Sequence, residues 1–402
     1  MSRTVLAVYG TRPEAIKMAP VIRALRASDM ECVVAVTGQH REMLDQVNEL
    51  FEIVPDQDLN VFEPGQNLNT LTAKVFSRLD PVLEEVKPDA VLVQGDPTTV
   101  AAAAIASLYR QVPVVHLEAG LRSGDLWSPF PEEANRKLVS QISSLHLAPT
   151  AVSRDNLLRE GVFVDDIVVT GNTVIDALLT TVERDTEVTD PALARAVAEG
   201  RDILLVTTHR RENWGGAMEN VGRALRRLSE SFPDLVIVLP AHRNPIVREA
   251  VLPQLEGREN VIVTEPLDYA EFIKVMSASK IVLTDSGGVQ EEAPSLGRPV
   301  LVMRENTERP EAVAAGTVRL IGTDENRVFD EVSRLMTVPT AYQAMSHAEN
   351  PYGDGRAAER TVAAIAQLLG VGERIADFTP DAPRNAKPEV DPAASPSLAT
   401  EH

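Results

Sequence analysis

The sequence predicts an α/β protein with two doubly wound parallel sheets, one in each half of the chain, that face a central cleft. Six short runs rich in Val, Ile and Leu precede residue 173, and six more follow residue 201. The runs are mostly apolar at consecutive positions, as in strands covered on both faces. Helical stretches separate them, and this alternation is typical of parallel sheets.

Each run is assigned to one strand. In the first half, strands are predicted at 4–10, 31–38, 90–96, 112–119, 143–150 and 166–172. In the second half they are predicted at 202–209, 235–242, 261–266, 280–285, 299–304 and 317–323. Pro13 and Glu14 lie shortly after the first strand and are typical of a first helical turn. Six strands followed by six indicate two Rossmann-like domains.

The domain boundaries are taken from these runs and from composition. We predict an N-terminal domain at 1–172, a C-terminal domain at 173–354 and an amphipathic helix at 355–370. The segment 173–201 is the expected link between the two domains. Residues 373–402 are rich in Pro, Ala, Ser and charge, which is typical of a disordered tail.

Composition limits the possible partners. The 402 residues carry a formal charge of −20, which argues against binding to nucleic acid or to an anionic membrane surface. Cys32 is the single cysteine, which excludes an intramolecular disulfide and Cys-rich metal sites. No apolar run approaches the ~18 residues of a membrane span, and no signal-peptide pattern is found. We expect a cytoplasmic protein.

Polar residues gather where the predicted strands end. Ligands of doubly wound sheets bind outside the carboxyl ends of their strands. Polar residues at or just past these ends are Arg12, Asp96, Glu118, His209, His242, Glu265 and Asp285. Polar residues can also simply terminate strands, but their accumulation in both halves favours a shared polar cleft.

The first strand leads into the turn Gly10-Thr11-Arg12-Pro13-Glu14, with Lys17 one helical turn on. The G-x-G-x-x-G dinucleotide motif is missing, so a nicotinamide dehydrogenase is not indicated. A tight turn into a helix still offers backbone N–H groups to an anion, and Arg12 adds a planar guanidinium suited to phosphate. The alternative is a surface arginine at a helix start.

A second such turn, Ser286-Gly287-Gly288, stands between a predicted strand and a helix. Glycines let the backbone approach a ligand closely, and the following helix points its dipole at the gap. Glu292 lies about one turn further on and suits ribose hydroxyls. Together with Arg309, this pattern predicts a pocket for a nucleoside diphosphate.

Carboxylates at neighbouring strand ends suggest acid–base chemistry on a sugar. Asp96 and Glu118 end adjacent runs, and Glu132 follows in PEEANR. Glu132 could instead cap the helix that it begins. His209 and Arg211 suit the charge of a departing pyrophosphate, whereas His242 is a weaker candidate because a lone strand-end histidine is often structural. No metal-binding motif is found.

Long blocks of the sequence resemble the non-hydrolysing UDP-N-acetylglucosamine 2-epimerases. The resemblance covers residues 1–370 and includes GTRPEAIKMAP, TGQHREMLDQV, HLEAGLRSGDLWSPFPEEANR, GNTVIDALL, THRREN and LTDSGGVQEEAPSLGRPVLVMRENTERPEAVAAGTVRLIGT. It implies a GT-B type fold, a UDP-binding C-terminal domain, a C-terminal helix that returns to the first domain, and a homodimer.

The resemblance also implies a reaction. Family enzymes interconvert UDP-N-acetylglucosamine and UDP-N-acetylmannosamine by eliminating UDP to 2-acetamidoglucal and adding it back. They use neither NAD nor a metal. The product would supply N-acetylmannosamine for cell-surface polysaccharide.

The family's functional residues transfer to matching positions of this sequence. The implied catalytic residues are Asp96, Glu118, Glu132 and His209. The implied substrate-binding residues are Arg12, Lys17, Leu267, Phe272, Ser286, Gly287, Gly288, Glu292 and Arg309. A regulatory site for a second UDP-N-acetylglucosamine, known in some members, would comprise Gln39, His40, Glu42, Arg211 and His242. The sequence departs from the family pattern at Pro97, which fits the first position of a helix, and in PAHRNP, which lies in the regulatory site.

Three other functions fit parts of this pattern. A GT-B glycosyltransferase would use the same nucleotide pocket together with an acceptor site. A catalytically silent UDP-sugar sensor would also need the pocket, although the intact carboxylates argue against it. A relative acting on a more decorated UDP-sugar, such as a diacetamido-uronate, would keep the fold and the mechanism.

Overall fold

The computed structural model describes residues 2–38, 41–63, 65–208 and 215–380, with the backbone alone at 41–43. Within this part, thirteen parallel strands form one sheet of seven strands and one of six. The strands are β1 Thr4–Tyr9, β2 Glu31–Val36, β3 Gln57–Asp58, β4 Ala90–Gln94, β5 Val114–Leu117, β6 Leu145–Ala148, β7 Ile167–Val169, β8 Ile203–Thr207, β9 Val236–Pro240, β10 Val261–Thr264, β11 Ile281–Thr284, β12 Val300–Val302 and β13 Val318–Leu320.

Helices connect the strands. In the first half they are α1 Arg12–Arg26, α2 Arg41–Leu50, α3 Leu68–Val86, α4 Thr98–Tyr109, α5 Glu132–Ile142, α6 Ala151–Arg159 and α7 Thr173–Val182, with a short 3₁₀ turn at Val164–Asp166. In the rest of the chain they are α8 Pro191–Ala198, α9 Gly216–Ser231, α10 Pro245–Leu255, α11 Tyr269–Ala278, α12 Val289–Ser295, α13 Pro310–Ala314, α14 Glu325–Thr337, α15 Pro339–Ser346 and α16 Ala357–Leu368.

Both sheets are doubly wound. The strand order is β3-β2-β1-β4-β5-β6-β7 in the first sheet and β10-β9-β8-β11-β12-β13 in the second. In each, the order reverses beside the first strand of the half, between β1 and β4 and between β8 and β11. Such reversal points open a crevice at the carboxyl ends of the strands. The two-domain GT-B type architecture expected from the sequence is confirmed, as are all twelve predicted strands.

The consecutive apolar residues of the strands are explained by helices on both faces. In β1, Val5, Ala7 and Tyr9 face the core beneath α1, whereas Leu6 and Val8 face the core beneath α3 and α4. Side chains alternate between the faces of a strand, so a strand covered on both sides needs apolar residues throughout. The pattern read from the sequence is therefore the signature of this burial.

The edge strand β3 was not predicted from the sequence. It consists of Gln57 and Asp58 alone and pairs with Ala35 and Val36 of β2. With two polar residues and no apolar run, it carries no hydrophobic pattern to detect.

The link between the halves is part of the core. Helix α7 packs against α1 and α16 on one side and against α11 and α12 on the other. Val174, Ile175 and Leu178 on this helix are buried in a cluster that also contains residues of both sheets. The segment 173–201 thus joins the halves through a buried helix, and the exact domain boundaries remain a prediction.

The end of the described chain lies on the first half. Helix α16 packs against α1, and the chain continues to Phe378, whose side chain is 5% exposed. The Phe378 N–H donates to the Val169 carbonyl of β7 at 2.7 Å. Residues 373–380, which the composition assigned to a disordered tail, thus include an aromatic residue that is buried against the first half. Residues 381–402 lie outside the described part.

Candidate active site

A cleft of about 510 Å³ lies between the carboxyl ends of the two sheets and is lined by residues of both halves. Eight of the nine predicted substrate-binding residues line it, namely Arg12, Lys17, Leu267, Phe272, Ser286, Gly288, Glu292 and Arg309. The ninth, Gly287, lies directly beneath the Arg309 guanidinium. The structure thus brings together residues that are up to 297 positions apart, from Arg12 to Arg309.

The turn after β1 contributes side chains rather than its first backbone amides. Glu14 is buried and accepts hydrogen bonds from the N–H groups of Gly10, at 3.3 Å, and Thr11, at 2.8 Å. Burial raises the pKa of Glu14 to about 7. Glu14 therefore already uses the amides of Gly10 and Thr11, and the binding of an anion by the backbone of this turn stays a prediction. Exposed Arg12 and half-buried Lys17 supply the positive charge on this side.

The glycine turn after β11 packs against the guanidinium of Arg309. A Cβ on Gly287 would lie 2.7 Å from Nη1 of Arg309, so only glycine lets the guanidinium lie against this backbone. Arg309 Nε donates to Oε1 of Glu291 at 2.7 Å. Burial alone would lower the pKa of Arg309, but the Glu291 carboxylate more than compensates and raises it. Arg309 is therefore a fixed cation facing the cleft.

A tyrosine that the sequence analysis missed orients Glu292. The Tyr269 hydroxyl donates to Oε1 of Glu292 at 2.8 Å, and both residues line the cleft. Burial raises the pKa of Glu292 to about 7. Leu267 and Phe272 stand in the same wall. This end of the cleft therefore combines an apolar surface with a buried carboxyl group, which suits a nucleoside.

Glu118 is held in a strained conformation at the end of β5. Its φ is +63°, in the left-handed region that residues other than glycine seldom adopt. The carboxylate accepts from Lys17 and Gln94, and from Nδ2 of Asn172 at 3.1 Å. Burial opposes its ionisation, but the positive charges of Lys17 and Arg309 outweigh burial and hold its pKa below the usual range. Glu118 is therefore favoured as an ionised carboxylate, and it contacts Lys17 in the wall of the cleft.

Asp96 lies close to Glu118, at the reversal point of the first sheet. Oε2 of Glu118 is 3.6 Å from the place of a Cβ on Gly95, the residue before Asp96. Arg136 holds Asp96 from behind, because its Nε and Nη2 both donate to Oδ2, at 2.8 and 2.7 Å. The neighbouring strand ends therefore place the Glu118 carboxylate beside the residue that precedes Asp96, and the shared role of the two acids stays a prediction.

The adjacent glutamates at the start of α5 have different surroundings. Glu133 is fully buried and accepts from the N–H groups of Ser123 and Gly124, at 3.0 and 3.3 Å, and from Arg136 at 3.1 Å. Glu132 is half-buried, and its side chain makes no hydrogen bond within the described residues. The alternative that Glu132 caps the helix thus finds no support in its contacts. Its carboxylate is available for chemistry.

Comparison with known proteins identifies the family. Residues 23–366 match the family model described as UDP-N-acetylglucosamine 2-epimerase. A probable UDP-N-acetylglucosamine 2-epimerase of Ralstonia nicotianae is 55% identical over 371 residues, which cover 90% of this chain and 98% of that protein. The chain belongs to the UDP-N-acetylglucosamine 2-epimerase family. It is therefore an epimerase, an isomerase that acts on a nucleotide-sugar.

Solved structures of epimerases have the same fold. The enzyme of Neisseria meningitidis, solved bound to UDP-GlcNAc, is 47% identical, with a TM-score of 0.82 over 90% of this chain and 100% of that one. The enzyme of Methanocaldococcus jannaschii, solved in complex with UDP-GlcNAc and UDP, is 32% identical, with a TM-score of 0.74 over 92% of this chain and 100% of that one.

Several predicted residues of the epimerase lie outside the described part. These are His209 among the catalytic residues, and Gln39, His40 and Arg211 of the regulatory site, together with the side chain of Glu42. His242 is described and lines the cleft, where its Nδ1 accepts from the Asn244 N–H at 3.2 Å. The regulatory site therefore stays a prediction, with one of its residues in the wall of the cleft.

The sequence analysis missed several residues that hold the predicted catalytic and substrate-binding side chains of the epimerase in place. They are Arg136 behind Asp96, Glu291 behind Arg309, Tyr269 beside Glu292, and Asn172 between the two halves. Glu291 and Tyr269 stand within two or three residues of a predicted site residue. Their side chains act through other protein groups, and such pairings between distant segments leave no spacing pattern in a sequence.

Proposed function

We propose that this epimerase inverts C2 of UDP-N-acetylglucosamine by eliminating UDP and adding it back. The observation that carries the proposal is the Glu118 carboxylate, which contacts Lys17 of the cleft wall and whose pKa is held low by Lys17 and by the Arg309 cation in the same wall. A base on one side and a diphosphate-binding cation on the other are what a 1,2-elimination requires. The epimerases of N. meningitidis and M. jannaschii, solved with UDP-GlcNAc, support this substrate.

The proposed reaction conserves atoms and electrons. A carboxylate takes the C2 proton, the C–H electrons form the C1=C2 double bond, and the C1–O electrons leave with UDP. Protonation of C2 on the opposite face and return of UDP to C1 then give UDP-N-acetylmannosamine. No net oxidation occurs, so the route requires no hydride carrier, and we propose that it proceeds without NAD or a metal.

The C2 proton is hard to remove, because no carbonyl group is attached to that carbon. Early cleavage of the C1–O bond gives C1 cationic character, which acidifies the C2 proton. Arg309 and Lys17 favour that cleavage because they stabilise the growing charge on the departing diphosphate. The elimination product must stay enclosed until UDP returns, and a cleft between two domains suits this requirement.

The residue roles follow from their positions. We assign proton transfer to Asp96, Glu118 and Glu132, and stabilisation of the leaving group to His209, without dividing the individual protons among them. We assign the diphosphate to Arg12, Lys17, Arg309 and the turn Ser286-Gly287-Gly288, the uracil to Leu267 and Phe272, and the ribose to Glu292.

Hydrogen exchange at C2 tests the mechanism. In D₂O, epimerisation by elimination places solvent deuterium at C2 of both sugars, as read by proton NMR. The variant Glu118→Gln should bind UDP but lose kcat by about 100-fold or more, since a proton-transfer group acts mainly on the transition state. Retention of the original C2 hydrogen in the inverted product would contradict the elimination route.

Wider properties of the enzyme are part of the same proposal. Within the described residues, no helix is long and apolar enough to cross a bilayer. We propose a cytoplasmic homodimer, regulated by a second UDP-N-acetylglucosamine and supplying N-acetylmannosamine for polysaccharide. A dimer is consistent with the large apolar side chains that neighbouring helices expose, Leu108 and Tyr109 on α4 and Leu138 on α5.

A further inference from the structure

Asn172 lies at the junction of the two halves, between β7 and α7, and is 3% exposed. Its side-chain oxygen accepts from the Val174 N–H at 3.0 Å and so caps α7. Its own N–H donates to the Tyr352 carbonyl at 2.6 Å. Because the oxygen is used by the cap, the direction of the amide nitrogen is fixed as well.

That nitrogen donates to two carboxylates from different halves. Nδ2 of Asn172 lies 3.1 Å from Oε1 of Glu118 and 3.3 Å from Oε2 of Glu291. An amide nitrogen carries two hydrogens, so each carboxylate receives one. Asn172 thus donates both of its amide hydrogens, one to each of two carboxylates that would otherwise repel each other.

The second carboxylate leads to the nucleotide side of the cleft. Glu291 is almost fully buried, and its Oε1 accepts from Nε of Arg309 at 2.7 Å. The Asn350 side chain donates to the Glu291 carbonyl at 2.9 Å and so fixes its backbone. A continuous set of hydrogen bonds therefore runs from Glu118 through Asn172 and Glu291 to Arg309.

The charges around Glu118 come from several elements. Lys17 of α1 and Arg309 of the second half favour its ionised form, whereas Glu291 of α12 opposes it. His116, on the same strand as Glu118, is buried and its pKa is lowered to about 4 by burial, so it is neutral in the physiological range. A hydrogen bond from a neutral amide adds to the stability of the ionised carboxylate. Loss of the hydrogen bond from Asn172 would raise the pKa of Glu118.

We propose that Asn172 is a positioning residue of the reaction. It holds Glu118 ionised and in place beside Lys17 of the cleft wall, and it joins that carboxylate to Glu291, the partner of the diphosphate-binding arginine. The inference rests on the proposed role of Glu118 in proton transfer. No substrate contact is assigned to Asn172 itself.

The test is the pH dependence of kcat for epimerisation. Asn172→Ser keeps a side-chain oxygen that can cap α7 and removes both donated hydrogen bonds. We expect the acid limb of the kcat profile to move up by about one pH unit, since one charge-assisted hydrogen bond is lost. At pH values below both limbs activity then falls about tenfold, whereas at pH 8, where Glu118 is ionised in either enzyme, it stays within about threefold of the parent enzyme.

Two further variants make the test specific. Asn172→Asp keeps the size and the cap but places a third carboxylate beside Glu118 and Glu291, so the limb should move further in the same direction. Asn67→Ser is the matched control, because Asn67 caps the exposed start of α3 through the Thr70 N–H at 2.9 Å, outside the cleft. Its profile should equal that of the parent enzyme.

The possible results separate the two proposals. A kcat lowered equally at every pH, or an acid limb that does not move in either variant at position 172, would show that Asn172 does not act on the ionisation of Glu118. Circular dichroism shows whether each variant folds. If Asn172→Ser does not fold, the pH profile of Asn172→Asp is used for the test. Retention of hydrogen at C2 by the parent enzyme contradicts the elimination route alone, because the pH comparison reads epimerisation itself.

Discussion

The carboxylate of Asp176 caps the helix that begins at Ala357, although 181 residues separate the two. One oxygen accepts from the Ala357 N–H at 3.2 Å and the other from the Ala358 N–H at 2.8 Å. Asp176 lies on α7 between the domains, and α16 is the C-terminal helix that returns to the first domain. The contact therefore fixes the end of the chain to the helix that joins the two halves.

This cap makes stability depend on pH. Burial raises the pKa of Asp176 from 3.8 to about 6 despite the hydrogen bonds that it accepts. An acid with a raised pKa in the folded state favours folding most when it is protonated, so its contribution is fully present below pH 3.8 and is lost as the pH rises through 6. Asp176→Asn cannot ionise. We expect its free energy of unfolding to fall less than that of the parent enzyme between pH 4 and pH 7.

Urea unfolding at the two pH values measures this difference. Asp324→Asn is the control, because Asp324 caps α14 through the Arg327 N–H at 3.0 Å in an exposed position. In this control the free energy of unfolding should change between pH 4 and pH 7 by the same amount as in the parent enzyme. Equal pH dependence in Asp176→Asn and the parent enzyme would disprove the assignment.

The fold could be predicted because burial leaves a direct trace in the sequence. Every strand covered on both faces had its apolar run, as Val5 to Tyr9 show. Contacts that depend on single polar residues left no such trace. The cap by Asp176, the edge pairing of Gln57 and Asp58 and the burial of Phe378 each join distant segments through one or two groups.

The site was predictable to the level of residues that face the cleft. Resemblance to the family and strand-end position together selected Glu118, Arg309 and Glu292. In the structure Arg309 and Glu292 line one cleft, and Glu118 contacts Lys17 in its wall. The supporting residues were not predictable in the same way. Glu133 and Glu132 are neighbours of the same type, and only their surroundings show that one holds a loop while the other is unbonded.

Tyr269→Phe tests the nucleoside end of the cleft. The variant removes the hydrogen bond to Glu292 and, because that bond lowers the pKa of the carboxyl group, raises it further above the present value of about 7. We expect the KM for UDP-N-acetylglucosamine to rise about fivefold, the equivalent of ~1 kcal/mol, with kcat nearly unchanged. Steady-state kinetics at pH 7.5 measure both constants.

The matched control is Tyr342→Phe, at a partly buried tyrosine of the second half whose hydroxyl makes no hydrogen bond within the described residues. Its KM should equal that of the parent enzyme. A fall in kcat at constant KM in Tyr269→Phe would instead place Glu292 in the chemical step.

Gly287→Ala tests whether the packing of Arg309 against this glycine is needed for UDP binding. The added methyl group would lie 2.7 Å from Nη1 of Arg309, closer than real Cβ contacts allow, so the guanidinium must move. Its ion pair with Glu291 resists that movement. We expect UDP binding, measured by calorimetry, to weaken by at least about tenfold, or ~1.4 kcal/mol. Gly216→Ala adds a methyl group that has no atom of the described residues within 4 Å, and it should bind UDP normally. Normal UDP affinity in Gly287→Ala would remove Arg309 from the binding site.

The adjacent glutamates of α5 give the sharpest contrast, because the same change should have opposite effects at the two positions. Glu133→Gln removes the charge that Arg136 pairs with at 3.1 Å in a fully buried place, so it should lower the free energy of unfolding by about 2–3 kcal/mol. Glu132→Gln removes no hydrogen bond and should change stability by less than about 0.5 kcal/mol. Its kcat should nevertheless fall about 100-fold or more, since a proton-transfer group is lost. Unfolding curves and initial rates on both variants measure this. A stable and fully active Glu132→Gln would show that the reaction needs only Asp96 and Glu118 among the three carboxylates.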